Sequence, residues 1–144
     1  MVETRSWSTK YRGELAIHSA AKLPPKWLGA SRHAPLFRDE IADVLNCRRD
    51  KDDRTGLHVD EAIKNLPFGA VLGTVELVAI EPTELVREIL SERERIFGNY
   101  EDGRFAWFLK NPRKFSIPFL EKGNRMLWNW NCSDAVLSSR ERAL

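Results

Sequence analysis

"LPFGAVLGTVELVAIEP", residues 66–82, is the most strand-like stretch of the chain. Val71, Gly73, Val75, Leu77 and Ala79 alternate with Leu72, Thr74, Glu76, Val78 and Ile80, so both faces are largely apolar. A strand that is apolar on both sides belongs in the middle of a sheet. Gly73 within it marks a bend or the close approach of another backbone. The rest of the chain must supply its neighbours and its cover.

On the N-terminal side, "GELAIHSA" sets Leu15 and Ile17 on one face and Ala16 and His18 on the other, the pattern of a second strand. "AKLPPKWLGASRHAP" is loop, because Pro24 and Pro25 have no N–H to donate to a ladder. "PLFRDEIADVLN" carries Leu36, Phe37, Ile41, Val44 and Leu45 at helical spacing, and the polar stretch 46–60 reads as an exposed insertion.

On the C-terminal side, "TELVREILSERERIF" predicts one helix with a stripe at Leu85, Val86, Ile89, Leu90, Arg93 and Phe97, and Glu84 in its first turn. Beyond it, "GRFAWFLKNP", "KFSIPFLEKG" and "RMLWNWN" read as three aromatic strands joined by turns at "NPR" and "KGN". The tail 133–144 reads as a helical turn. The sum is one α+β domain over 1–144, built round a curved sheet or small β-barrel with short helices and interrupted by the insertion around 46–60.

The 144 residues carry a formal net charge of +2, which permits nucleic-acid binding without arguing for it. The distribution is more informative. Arg5, Lys10, Arg12, Lys22 and Lys26 crowd the first thirty residues. Arg104, Lys110, Arg113, Lys114, Lys122 and Arg125 crowd a second segment, so a fold that pairs the two ends gathers the positive charge on one side. Five tryptophans accompany these cations. Arginine forks match phosphates and base edges, and aromatic faces stack on unpaired bases. Trp7, between Ser6 and Ser8, is the expected exposed platform.

Other chemistries have less support. His18, His33 and His58 share no ligand spacing with each other or with Cys47 and Cys132, so no metal site is expected. The two cysteines have no C-x-x-C partner, which fits a reducing, cytoplasmic setting. No apolar run reaches membrane-spanning length, so no membrane is expected, and no glycine-rich phosphate loop points to a cofactor.

"ETRSWSTKYRGELAIHSAAK" (3–22), "LPFGAVLGTVELV" (66–78) and "FAWFLKNPRKFSIPFLEKGNRMLWNW" (105–130) together resemble the ASCH domain family of the PUA-like superfamily. The resemblance implies a small PUA-like β-barrel flanked by short helices, with a cleft that binds RNA or single-stranded nucleic acid. Arg5, Trp7, Lys10 and Arg12 would line or rim that cleft, and Lys22, Arg113 and Lys114 would add phosphate contacts. The alternative it carries is a hydrolase on RNA or a modified nucleoside, of ribonuclease or N-acylcytidine amidohydrolase type. In that case Glu3, with Glu76 as a second candidate, is the general base and Arg5 the charge-neutralising partner.

The family motif Gly-x-Lys-x-x-Glu-x-Arg is met at Glu3 and Arg5, with its lysine falling immediately before Met1. The amidohydrolase relatives have threonine at the position of Glu3. The further expectation is a barrel without its first strand, its uncovered edge closed by a homodimer or by residues 133–144. A third reading is an interaction domain using the outer side of the helix at 84–97.

Overall fold

Ala70–Pro82 is one 13-residue strand, and it is central. The computed structural model describes residues 1–22, 39–42, 45 and 57–131. In chain order these make β1 (Val2–Arg5), β2 (Gly13–His18), α1 (Leu57–Lys64), β3 (Ala70–Pro82), α2 (Thr83–Val86), α3 (Glu92–Ile96) and β4 (Phe105–Leu120). The strands form one antiparallel sheet in the order β1-β4-β3-β2.

There are two compact units. Met1–Ala21 with Pro67–Leu144 holds the sheet, and Lys22–Leu66 forms the other. In the second unit, residues 39–42 are helical, and Ala42, Val59 and Ile63 are buried with Ile41 and Leu45 against them. Residues 23–35 of the expected loop, 46–56 of the polar stretch and the tail 133–144 lie outside the described residues, and 57–60 opens α1.

The expected β-barrel is not formed. β1 and β2 are the two edges of an open sheet, and no ladder joins them among the described residues. The register gives the reason. β1 pairs with Phe105–Phe108, at the start of β4. β2 pairs with the segment of β3 from Val71 to Leu77, whose own β4 partners run from Leu109 to Phe119. The two edge strands therefore lie toward opposite ends of the long β3–β4 ribbon, where neither reaches the other to close a barrel.

The edge of β1 is also not bare. Glu94 Oε2 accepts the Val2 N–H at 3.1 Å, and Thr4 Oγ1 accepts the Asn99 N–H at 2.9 Å. The Glu94 carboxylate thus satisfies one backbone donor that an edge strand would otherwise offer to another chain, and the Thr4 side chain ties down the loop at Asn99.

Three other expectations change. "NPR" is not a turn: Asn111 adopts φ 49°, β4 bulges there, and the strand continues to Leu120. Asn tolerates the left-handed region, and a proline at a bulge forfeits no ladder bond. Residues 125–131 are not a strand; they run as irregular chain beyond β4. The helix expected over 83–97 is two pieces, because Ser91 caps a new helix by accepting the Glu94 N–H at 3.2 Å. Leu85 and Ile89 are exposed as a result, and only Val86 of the expected stripe is buried.

The core lies along the ribbon in two clusters. Val75, Leu77, Trp107 and Leu109 are buried together, with Trp7, Leu15, Ile17, Ile80 and Phe105 packed on them. Val71 and Phe115 form the second cluster, with Phe119 and Trp130. At the end of β3, the buried Thr83 hydroxyl donates to Glu101 O at 2.7 Å and ties α2 to the turn before β4.

Beside α3, burial raises the Tyr100 phenol to about 12, reinforced by the negative charges of Glu94 and Glu3. The fold favours the neutral phenol. Its contribution to stability is therefore complete below the ordinary value of 10.0 and is lost as pH rises from there toward 12. Ultraviolet titration should show a phenolate component ionising near pH 12, and Tyr100→Phe should remove it. A wild-type phenol profile with no component above the ordinary range would contradict this.

Candidate binding cleft

β2 alternates, and the alternation sorts its residues by face. Leu15 lies opposite Val75 and Ile17 opposite Gly73, on the side of the main core. Glu14, Ala16 and His18 occupy the other side, opposite Glu76, Thr74 and Val71. This second side continues into β4, where Lys110 stands opposite Glu76 and Arg113 opposite Thr74, whereas Lys114, opposite Gly73, falls on the row of Ile17 and the side of the main core.

Residues 126–131 cross this second face and leave a cleft of about 570 Å³. Its lining includes Tyr11, Glu14, His18, Thr74, Trp128 and Trp130. Cavities of this size, mostly apolar with a few polar groups, are typical of small-ligand sites.

Two anchors hold the covering segment. His18 Nε2 is 2.8 Å from Glu121 O, and its ring meets Trp128 edge-on with centroids 6.1 Å apart. A Cβ on Gly123 would lie 2.7 Å from His18 Cε1, so the imidazole rests directly against that backbone. Further along, Trp130 packs on Phe115 and Phe119, with centroids 6.4 and 6.3 Å away. At the other end, the Tyr11 hydroxyl donates to Glu14 O at 2.7 Å and fixes its ring at the mouth of β2.

The residues expected from sequence divide between the two faces. Glu3 pairs in register with Trp107 and Arg5 with Phe105, on the side of the main core. The two side chains meet each other, Arg5 Nε to Glu3 Oε1 at 3.4 Å. Trp7 is half-buried, its ring edge-on to Trp107 at 4.7 Å, and its carbonyl accepts the Trp107 Nε1–H at 3.3 Å. Thus Glu3, Arg5 and Trp7 are brought together, but away from the cleft.

Arg12 donates through Nη1 to the carbonyls of Thr9 and Tyr11, at 3.0 and 2.7 Å, and braces its own loop. Lys10 is exposed beside Tyr11. Arg113 is exposed on the β4 row next to the cleft, Lys114 is exposed on the opposite side of the sheet, and all three are without an ion pair among the described residues. Lys22 opens the second unit. Glu76 accepts from Asn111 Nδ2 at 2.8 Å. No group of three or more metal-ligating side chains occurs among the described residues, and no helix among them is long and apolar enough to cross a membrane.

The lining residues that sequence reasoning passed over are His18, Thr74 and Trp128. Their signal was faint: a histidine and a threonine on the less apolar side of two strands, and an indole in a segment that looked like another strand.

The comparisons with known proteins fit this architecture. The family model of the ASCH domain matches residues 1–119, which includes β1, β2 and β3 and all but the last residue of β4. The segment that covers the cleft lies beyond that match. Activating signal cointegrator 1 of Homo sapiens is 29% identical over 127 residues, covering 88% of this chain and 18% of the human protein. The Mus musculus protein of the same name is 28% identical over the same length. The chain thus spans under a fifth of each relative. With the family model matched across more than half of its residues, the chain belongs to the ASCH domain family.

Proposed function

We propose that the chain binds RNA or single-stranded nucleic acid, with an unpaired base entering the cleft between β2 and residues 126–131. The observation that carries this reading is the pairing of an aromatic-lined cavity with free cations on the adjoining rows. Tyr11, His18 and Trp128 line the space, while Lys10 and Arg113 stand beside it with no acidic partner among the described residues. Aromatic faces hold bases by stacking, and uncommitted cations hold the phosphates that follow them. Membership of the ASCH family supports the same reading through the resemblance that family bears to RNA-binding PUA-like domains.

In this arrangement Arg5 and Trp7 act from the other side of the sheet. They hold β1 and the loop that carries Lys10 and Tyr11, while the contacts to the strand come from the loop and from β4.

Titration of a labelled single-stranded RNA should show binding that weakens with salt. If three or four phosphates are neutralised, affinity should fall roughly thirty-fold between about 50 and about 200 mM salt. Lys10→Ala with Arg113→Ala should weaken binding and flatten the salt dependence. Absence of binding at the lower salt, or a double variant that keeps the full slope, would end the proposal.

A further inference from the structure

We infer that Thr74 is the residue that orients the ligand in the cleft, by hydrogen-bonding the polar edge of a planar nucleobase; this rests on the nucleic-acid reading above. Thr74 is only 5% exposed, lies in the middle of β3 and lines the cleft. Its hydroxyl has no hydrogen-bond partner among the described residues. That is unusual, since buried polar groups are almost always paired, and an exception calls for an explanation. The comparison within the same strand-to-helix segment is direct: the buried Thr83 hydroxyl is used, donating to Glu101 O.

The surroundings say what the partner must be. Thr74 sits between Ala16 and Arg113 on one row of the sheet, with a methyl on one side and a cation on the other. Ala16 leaves room above the row. Trp128 and Tyr11 offer flat apolar walls, suited to a ring rather than to a branched or charged group. A hydroxyl donates one bond and accepts others, so it can pair with a ring nitrogen, a carbonyl or an amino group. A flat ring with polar atoms on its edge and a phosphate trailing toward Arg113 satisfies all three features.

Thr74→Val keeps the side chain's shape and removes the hydroxyl, and Thr74→Ser keeps the hydroxyl. The ligands are short RNA strands carrying one central natural base, each of the four in turn, or a phenyl ring in its place. The wild-type chain should bind at least one natural-base strand about tenfold more tightly than the phenyl strand, the worth of about one hydrogen bond. Thr74→Val should bring the two to equal affinity without changing the phenyl affinity, and Thr74→Ser should restore the difference. Because no protein partner is lost, Thr74→Val should melt no lower than wild type, which a structural role for the hydroxyl would not allow.

Thr74→Val with the wild-type preference intact, or with a clearly lowered melting temperature, overturns the inference alone. A wild-type chain that binds these strands without preferring any natural base to phenyl also overturns it alone. A wild-type chain that binds none of the strands overturns the nucleic-acid reading and this inference together.

Discussion

Gly73→Ala should cost the sheet about 3 kcal/mol or more, the largest effect expected of adding a single methyl group anywhere in the strands. The added Cβ would stand 2.2 Å from the Arg113 carbonyl oxygen and 3.0 Å from Lys114 Cα. Both obstacles are main chain, so no rotamer change relieves them. β3 and β4 would have to separate at the centre of the ladder that builds the sheet, between two of its bulges. The loss should appear as a lowered midpoint in urea unfolding followed by circular dichroism. A midpoint shift worth less than about 1 kcal/mol would show that the ladder yields more readily than close packing suggests.

Trp107→Ala should be comparably severe, at about 3–5 kcal/mol, the usual range for removing a large aromatic from a core. The indole is 3% exposed and packs with Val75, Leu77 and Leu109. It also holds Trp7, through the edge-on ring contact and the hydrogen bond to the Trp7 carbonyl. Its loss therefore leaves a cavity and releases the chain that follows β1. Urea unfolding measures the first effect. Limited proteolysis should detect the second as faster cleavage between Arg5 and Arg12. Unchanged cleavage there would mean that the four ladder positions of β1 hold this segment without the indole.

How much of this was legible in the sequence depends on the range of the interactions involved. The central place of 70–82 follows from local chemistry, since apolar residues on both faces need cover on both, and that expectation holds. The flanking strand 13–18 holds for the same reason. Closure into a barrel was not legible, because it depends on where β1 and β2 register along partners about fifty to about a hundred residues away. The single strand 105–120 was hidden by Asn111 and Pro112, a pair that serves a turn or a bulge equally well. Ser91 and Glu94 did carry a readable break, the first and last residues of a capping pattern, set inside a stripe that suggested one helix.

The site divides in the same manner. Clusters of arginine, lysine and tryptophan in the first twelve residues suggested one cleft, yet a strand sends successive side chains to opposite faces. Glu3, Arg5 and Trp7 consequently stand with the main core, whereas the cleft takes Tyr11 from the adjoining loop. Lys10 and Arg113 retain a place beside it, while Lys114 falls on the opposite side of the sheet. The orphan hydroxyl of Thr74 had no sequence signal, because threonine is an ordinary strand residue until its partners can be counted.

The bulge at Asn111 has a mechanical consequence. β4 is one strand by hydrogen bonding but two by allegiance: Phe105, Trp107 and Leu109 belong to the main cluster, and Phe115 and Phe119 belong to the cluster with Val71 and Trp130. The residues between them are exposed, so little apolar packing carries a disturbance across the joint. The two ends of β4 thus draw their apolar cover from different neighbours, and a substitution that loosens one cluster leaves the contacts of the other in place.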